Sequence, residues 1–181
     1  MTYSFSNPAS NAADSAKTYV EALLEVLGDR RPLEVMGELT PWLDHRLRGV
    51  SDDALRRPEK PGKWSVVQVI QHLADSDLVF GFRARMVLTE DRPAIQGYDQ
   101  DRWASTLRYA ESSIPQARAQ LDALRGANLT VLRRLGPMEM ERVGMHSERG
   151  AESLGHLTKL MAAHDLVHRR QIERVLAAVS A

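Results

Sequence analysis

Residues 154–176, LGHLTKLMAAHDLVHRRQIERVL, carry the pattern around which the rest of the chain is organised. Apolar residues recur in this stretch at alternating steps of three and four, which predicts one helix with a single buried face. His164 and His168 lie one turn apart on that face. The predicted inward positions are Leu154, Leu157, Met161, His164, His168, Gln171 and Val175. Two imidazoles therefore interrupt an otherwise apolar helix face.

A pair of histidines on one buried face has a cost that a metal ion would remove. Each buried imidazole without a partner costs about 1–3 kcal/mol of folding free energy, and two protonated rings would also repel each other. Neutral imidazole nitrogen is a good ligand for zinc, nickel, copper or iron, so a divalent metal reverses this penalty. A pH-sensitive or purely structural pair is the alternative interpretation. A third inward ligand elsewhere in the chain would decide between them.

Length and composition predict one domain and exclude several classes of partner. The chain has 181 residues, with 24 Lys plus Arg against 24 Asp plus Glu, so no charge excess indicates nucleic acid or an anionic membrane. It has no cysteine, hence no disulfide, thiolate ligand or cysteine nucleophile, which is compatible with a reducing cytosol. Neither a signal peptide nor an apolar run of membrane-spanning length occurs, and we expect a cytoplasmic protein. Residues 1–12 are predicted to be a polar tail and residues 13–181 one domain.

Four main helices predict an all-α protein with the architecture of a four-helix bundle. Two longer connections join them, and short extra helices are expected. The other three main helices are predicted at about residues 13–27, 65–88 and 115–135. The two longer connections are predicted at 89–113 and 137–152, and one short helix at 103–109 inside the first of them. Residues 32–49 are predicted to be helix with a break, in which Pro32 and Pro41 each begin a short helix and Thr40 caps the second. No alternation is strong enough for a sheet, so we expect almost no strand.

The helix that begins at Ser65 is predicted to carry the third histidine. Ser65 and Gln68 have the spacing of a capping box, and Trp64 can pack onto Val69 in the first turn. His72 then lies about 60° from the centre of the inward stripe, at the edge of the buried face. A helix held firmly at one end suits a ligand that must be positioned in advance.

Other polar residues are predicted to lie outside this site. His45 has charged neighbours and is expected at the surface, and His146 is expected in a connection. The arginines of the helix at 115–135, among them Arg125, are predicted to form its solvated face. The connection at 89–113 has a reasonable set of residues for a pocket rim, although aromatic side chains in a loop more often only anchor it. These candidates are Tyr98, Asp99, Asp101 and Trp103.

Four segments together resemble the DinB-like metal-binding superfamily of the DinB/YfiT type. They are GKWSVVQVIQHLADSD at 62–77, GYDQDRWA at 97–104, MHSERG at 145–150 and HDLVHRRQI at 164–172. The similarity covers most of the chain beyond the first dozen residues, and Ser147 departs from it where proline is expected. The resemblance implies that His72, His164 and His168 bind one metal in a four-helix bundle, and that the protein forms a homodimer. It also implies either thiol-dependent S-transferase or isomerase chemistry, as in characterised branches, or the hydrolase activity assigned to other members.

The residues themselves support the same three ligands. Three neutral nitrogens with an open fourth position are typical of a catalytic metal site, since structural zinc is normally closed by four protein ligands. An all-histidine set does not distinguish zinc, nickel, copper and ferrous iron. The second ring nitrogen of each ligand needs a hydrogen-bond acceptor, and the candidates within one turn are Asp75, Asp165 and Gln171.

Three functions are compatible with such a site and a small-molecule substrate. In the first, the metal lowers the pKa of a small thiol, which attacks an electrophilic small molecule; the sulfur must come from a cosubstrate because the chain has no cysteine. In the second, the metal activates water for hydrolysis, and Asp165 or Asp75 would have to serve as general base. In the third, the site only stabilises a non-enzymatic stress or dimerisation module.

Overall fold

The structure, a computed structural model, describes residues 12–179, with side chains from residue 20 onward. The predicted tail lies outside the described residues except for Ala12, which begins the first helix. In chain order the helices are α1 Ala12–Leu27, α2 Pro32–Arg46, α3 Asp52–Arg56, α4 Val66–Thr89, α5 Gln100–Thr106, α6 Ile114–Leu132, α7 Pro137–Met140 and α8 Leu154–Val179. A 3-10 helix covers Tyr109–Glu111, and the strands are β1 Ala94–Ile95, β2 Val143–His146 and β3 Gly150–Ser153. Across residues 12–179, no helix combines the length and apolar character needed to cross a membrane.

The long helices form a bundle, which confirms the predicted all-α architecture. Helix α4 packs against both α6 and α8, and α2 packs against the same two helices from the other side. Helix α1 lies along α8. The two helices predicted to carry histidines, α4 and α8, are therefore direct neighbours.

The apolar core is divided into two clusters along the bundle. On α4 the change from one cluster to the other falls between Ala74 and Phe80, and on α8 it falls between Val167 and Ile172. Polar side chains that are buried or, at His164 and His168, partly buried occupy the level between the clusters on α4, α6 and α8. We call this set the polar layer; its members are His72, Asp75, Ser76, Asp77, Arg125, Asn128, His164, Asp165 and His168. A buried layer of this kind requires internal partners for each charge and hydrogen-bonding group.

Helix α4 begins as predicted. Ser65 is its N-cap, and the Gln68 side chain accepts hydrogen bonds from the Ser65 backbone N–H at 3.0 Å and from the Ser65 hydroxyl at 3.1 Å. Trp64 packs against the apolar cluster that contains Val69. The start of the helix that carries His72 is thereby fixed.

The predicted break in the second helix is wrong. Helix α2 runs without interruption through Pro41, and Thr40 lies inside it rather than at a cap. A proline inside a helix costs about 3 kcal/mol. Here Leu39 and Leu43, which flank Pro41, are both fully buried, and burying two leucines returns about 1.5–3 kcal/mol each. Tertiary packing therefore outweighs the local preference.

Strand content is small, as expected, but three short strands form a sheet in one region. Strands β2 and β3 form an antiparallel hairpin, and β1 pairs in parallel with β2, with Ile95 opposite His146. Gly150, with a φ of 77°, begins β3 directly after the turn. Strands of two and four residues are too short to show alternation in the sequence. The sheet thus holds the two long connections against each other.

Candidate metal centre

Three histidine nitrogens meet where α4 and α8 face each other. His72 Nε2 lies 3.0 Å from His164 Nε2, and His168 Nε2 lies 3.0 Å from the same atom. The three ligand atoms are all within 4.8 Å of one another. The ring centroids are 4.3–5.0 Å apart, and the rings are tilted or edge-on rather than stacked. The structure therefore brings together the three histidines that the sequence singles out.

This donor set fits a tetrahedral divalent ion. Nitrogen ligands lie about 2.0–2.1 Å from zinc, hence about 3.3 Å from one another in a tetrahedral site. The nitrogen pairs at 3.0 Å are close to that spacing. Within the described residues no further histidine, aspartate or glutamate joins the group. Three neutral donors with no fourth protein ligand are typical of an open, catalytic type of site.

Gln171 sets the orientation of one ligand. His168 Nδ1 donates to Gln171 Oε1 at 2.7 Å, so in the neutral ring the Nε2 atom carries the free lone pair. That lone pair is directed at the other two histidines. The Nδ1 atoms of His72 and His164 are buried and have no hydrogen-bond partner in the described part of the chain.

Burial keeps the three imidazoles neutral. It lowers the pKa of His168 to about 4, with a smaller opposing effect from the hydrogen bond to Gln171. The pKa values of His72 and His164 also fall well below the ordinary value, first through burial and then through neighbouring histidines. Neutral rings with available lone pairs are the form that binds a metal ion, so the site needs no proton release on metal binding at neutral pH.

The two carboxylates expected beside the histidines have other partners. Asp75 accepts hydrogen bonds from the Tyr109 hydroxyl at 2.5 Å and from Gln120 Nε2 at 3.1 Å. Asp165 is directed at Arg125, with contacts of 2.5 and 2.9 Å. Gln171 is thus the one candidate acceptor whose side chain reaches a histidine nitrogen in the described residues.

Arg125 lies inside the bundle, so its predicted place on a solvated face is wrong. Its side chain is 3% exposed and pairs with Asp77 of α4 and Asp165 of α8, whose side chains are both 0% exposed. Arg125 Nη1 also donates to the Met36 carbonyl of α2 at 2.7 Å. The guanidinium thus links its own helix α6 to α2, α4 and α8 at the level of the histidines. The polar layer contains three carboxylates, Asp75, Asp77 and Asp165, against the one guanidinium, and this net negative charge favours a nearby cation.

Three side chains that surround the histidines were not assigned to the site from the sequence. The Trp64 ring lies 5.0 Å from the His72 ring, so the residue that precedes the N-cap of α4 also contacts a candidate ligand. The Ser76 hydroxyl lies 3.4 Å from His72 Nε2 and 3.1 Å from the Tyr98 hydroxyl. Tyr98 was proposed only as a rim or an anchoring residue, and its ring also contacts Trp103 at 4.7 Å. Two local signals indicate Ser76: it lies four residues after His72, and it falls on the predicted inward stripe of this helix.

The remaining candidates lie elsewhere or have other roles. His45 is exposed, as predicted. His146 is 4% exposed in β2 and accepts a hydrogen bond from the Glu148 backbone N–H at 3.2 Å, so it is a buried strand residue rather than a loop residue. Asp99 caps α5 by accepting from two backbone N–H groups at 3.0 Å, and Asp101 is exposed in the first turn of that helix. His146 is absent from the group of possible ligands, in agreement with its exclusion from the sequence-based site.

The chain is similar to several bacterial proteins. A sequence model of the DinB superfamily matches residues 42–172. A protein of Oceanobacillus iheyensis, named "putative metal-dependent hydrolase", is 32% identical over 135 residues, which cover 75% of this chain and 78% of the relative. A protein of Geobacillus thermodenitrificans with the same name is 28% identical, covering 93% of this chain and 88% of the relative. The structure of YfiT from Bacillus subtilis, described as "a probable metal-dependent hydrolase with an unusual four-helix bundle topology", superimposes with a TM-score of 0.70 at 24% identity, covering 93% of this chain and 92% of YfiT. At that identity the structural likeness establishes the fold alone.

Proposed function

Because the chain belongs to the DinB superfamily, we propose that His72, His164 and His168 hold one divalent metal ion. We further propose that the protein uses this ion to activate a small thiol for attack on an electrophilic small molecule. One observation supports the proposal above all: three neutral imidazole nitrogens converge without a fourth protein ligand in the described residues. A closed structural site would supply that fourth ligand itself.

The chemistry at such a centre is limited and specific. A divalent ion with three imidazole ligands supplies Lewis acidity that lowers the pKa of a thiol or a water at its open position. The chain has no cysteine, so a sulfur nucleophile must come from outside. His164 is partly exposed, which is consistent with access of a small molecule to this face of the bundle.

The surrounding residues have separable roles in this proposal. Gln171 holds the His168 ring in the tautomer that presents Nε2. Trp64 covers one side of the His72 ring and limits the solvent that reaches it. The polar layer contributes a net negative charge that compensates part of the charge of a cation.

Metal-dependent hydrolysis is the second candidate, and the names of the relatives favour it. Hydrolysis requires a general base within hydrogen-bond reach of the attacking water. The two carboxylates considered for that task are engaged with Tyr109 and Arg125. This arrangement is the reason that we rank thiol transfer first.

The test begins with elemental analysis of protein purified without an affinity tag. Metal-loaded protein is then incubated with bacillithiol, mycothiol or glutathione and a chloro-aromatic or epoxide acceptor, and in parallel with ester and amide substrates. The matched variants are His72→Ala and His45→Ala, because His45 is an exposed histidine outside the site. Thiol-dependent turnover that His72→Ala abolishes and His45→Ala retains supports the proposal. Hydrolysis without thiol supports the second candidate, and metal binding without any turnover supports a stabilising module.

Two further expectations accompany this proposal. The homodimer implied by the family resemblance is tested by light scattering of the metal-loaded and metal-free protein. The nature of the metal is tested by the elemental analysis itself, with zinc, nickel and iron as the expected alternatives.

A further inference from the structure

Ser76 is a helical hydroxyl that does not use the usual backbone acceptor. Serine and threonine inside a helix commonly donate to the carbonyl four residues earlier. Thr89, Thr130 and Thr158 each do so at 2.8 Å. The Ser76 hydroxyl instead contacts His72 Nε2 at 3.4 Å and the Tyr98 hydroxyl at 3.1 Å. Ser76 is only 7% exposed, so its hydroxyl depends on these partners inside the protein.

Tyr98 is held in place by several independent contacts. The Arg83 guanidinium lies 5.9 Å from the centre of the Tyr98 ring and donates a short hydrogen bond to the Gln96 carbonyl. The Trp103 ring packs at 4.7 Å. The backbone N–H of the preceding Gly97 donates to the Ser147 hydroxyl at 3.3 Å, which ties this segment to the turn between β2 and β3. The sheet and α4 therefore fix the tyrosine hydroxyl next to Ser76.

The two hydroxyl groups carry one proton more than their mutual hydrogen bond uses. Ser76 and Tyr98 have one O–H each, and the contact between them consumes one of the two. In the structure His72 Nε2 is within reach of the other. If Nε2 is committed to a metal ion, its lone pair can no longer accept, and the remaining O–H must find another acceptor beside His72. Burial raises the pKa of Tyr98, so its phenol keeps its proton at neutral pH.

We propose that Ser76 and Tyr98 form a hydrogen-bonding pair that donates one hydrogen bond to the ligand at the open position beside His72. The pair favours a ligand whose donor atom is anionic and retains a free lone pair, as the sulfur of a thiolate does. A neutral ligand whose donor nitrogen has no second lone pair gains nothing from it. This inference rests on the proposed metal site and adds a preference among its ligands.

The experiment uses the full-length protein loaded with cobalt(II), whose visible absorption reports on coordination. The probes are 2-mercaptoethanol, which binds through an anionic sulfur, and imidazole, which binds through a neutral nitrogen. The dissociation constant of each probe is obtained by titration for the wild type, Tyr98→Phe, Ser76→Ala and the double variant. We expect Tyr98→Phe and Ser76→Ala each to raise the dissociation constant of 2-mercaptoethanol at least fivefold, because each removes a hydrogen bond to a charged group. The double variant should lose little more than either single variant, because the pair acts as a unit, and imidazole affinity should stay within about twofold of the wild type.

Tyr109→Phe and Ser105→Ala are the matched controls. The Tyr109 hydroxyl is buried but donates to Asp75, and the exposed Ser105 hydroxyl donates to the Arg102 carbonyl. Both variants should bind 2-mercaptoethanol like the wild type. The proposed pair is overturned if Tyr109→Phe weakens 2-mercaptoethanol binding as much as Tyr98→Phe does. It is also overturned if imidazole affinity falls equally, or if Tyr98→Phe binds 2-mercaptoethanol like the wild type. A cobalt spectrum that is absent, or that His72→Ala leaves unchanged, overturns the metal site and this inference together, whereas a normal spectrum with unchanged probe affinities overturns the pair alone.

Discussion

Arg125 of α6 binds Asp165 of α8 through both terminal nitrogens, at 2.5 and 2.9 Å, directly beside His164. The same guanidinium binds Asp77 of α4, five residues after His72. The two helices that present histidines are thus joined by a cation that is itself buried. This contact is a polar link, in addition to the apolar core, between the helices that carry the candidate ligands.

Replacing Arg125 by methionine should destabilise the protein by about 3–5 kcal/mol, because it leaves two buried carboxylates without a counter-charge. The free energy of unfolding in urea measures the effect. Arg118→Met is the control, since Arg118 pairs with Asp44 and Asp122, whose side chains are 66% and 48% exposed. Surface pairs of that kind contribute about 0–1 kcal/mol. A similar loss for both variants would contradict a special role for the buried cation.

The Gln171 variant tests how far a single acceptor controls the candidate site. Gln171→Leu removes the acceptor for His168 Nδ1 and should reduce metal affinity about 10–100-fold, as loss of such partners does elsewhere. Competition with a chromophoric chelator measures the affinity. Gln171→Glu keeps an acceptor and should retain tight binding. Gln120→Leu, which removes a glutamine bonded to Asp75 and not to a histidine, should bind metal like the wild type; weak binding by that control would show a general loosening of the bundle instead.

The pH dependence of metal affinity should differ from that of an exposed histidine site. Protons compete with the metal only near the folded-state pKa, which burial lowers to about 4 for His168 and well below the ordinary value for His72 and His164. Apparent affinity should therefore stay nearly constant from pH 8 to about pH 5 and fall only below that. Titrations in buffers of matched ionic strength provide the measurement. A decline that already begins at pH 6.5 would show that the rings titrate as in an unfolded peptide.

The stability of the metal-free protein should also fall in acid. Unfolded histidines take up protons below about pH 6.5. In the folded protein burial lowers the pKa of His168 to about 4 and the pKa values of His72 and His164 well below the ordinary one. Their contribution to the free energy of unfolding is complete above pH 6.5 and is lost as the pH falls toward 4. Asp165 acts in the opposite direction, because burial raises its pKa to about 6, so its contribution is lost as the pH rises through 6. Because three histidines contribute against one carboxyl, the free energy of unfolding should show a net loss between pH 6.5 and 4. Urea unfolding at a series of pH values measures this loss.

The sequence predicts which histidines come together because their signals are local. His164 and His168 share a face through simple helical spacing, and the cap at Ser65 places His72 at a defined position in α4. The partners of Asp75 and Asp165 come from other helices at large sequence distance, and no local pattern indicates them. Arg125 looks like other arginines of its helix, and only the tertiary contact with the two carboxylates explains its burial.

The contribution of the connections could not be read from the sequence for a related reason. Tyr98 reaches Ser76 because a two-residue strand and a short hairpin hold its segment against α4. Pairing over so few residues produces no periodicity. Pro41 is the opposite case. This proline predicts a break in the helix, but the burial of Leu39 and Leu43 on either side stabilises a continuous helix.

Two glycine-to-alanine substitutions should have opposite effects on stability, although both lie inside long helices. Gly126 in α6 has open space where a Cβ would be, so Gly126→Ala should stabilise the protein by about 0.5–1 kcal/mol through helix propensity alone. At Gly81 in α4 the added Cβ would collide with the Asn128 side-chain oxygen. Asn128 donates to the Asp77 carbonyl at 2.8 Å, so its side chain can move only by giving up a bond in the polar layer. Gly81→Ala should therefore destabilise the protein by about 1–3 kcal/mol, the range found for overpacked cores. Thermal and urea unfolding of the two variants measure the contrast, and stabilisation by both would mean that the layer around Asp77 yields more readily than its hydrogen bonds imply.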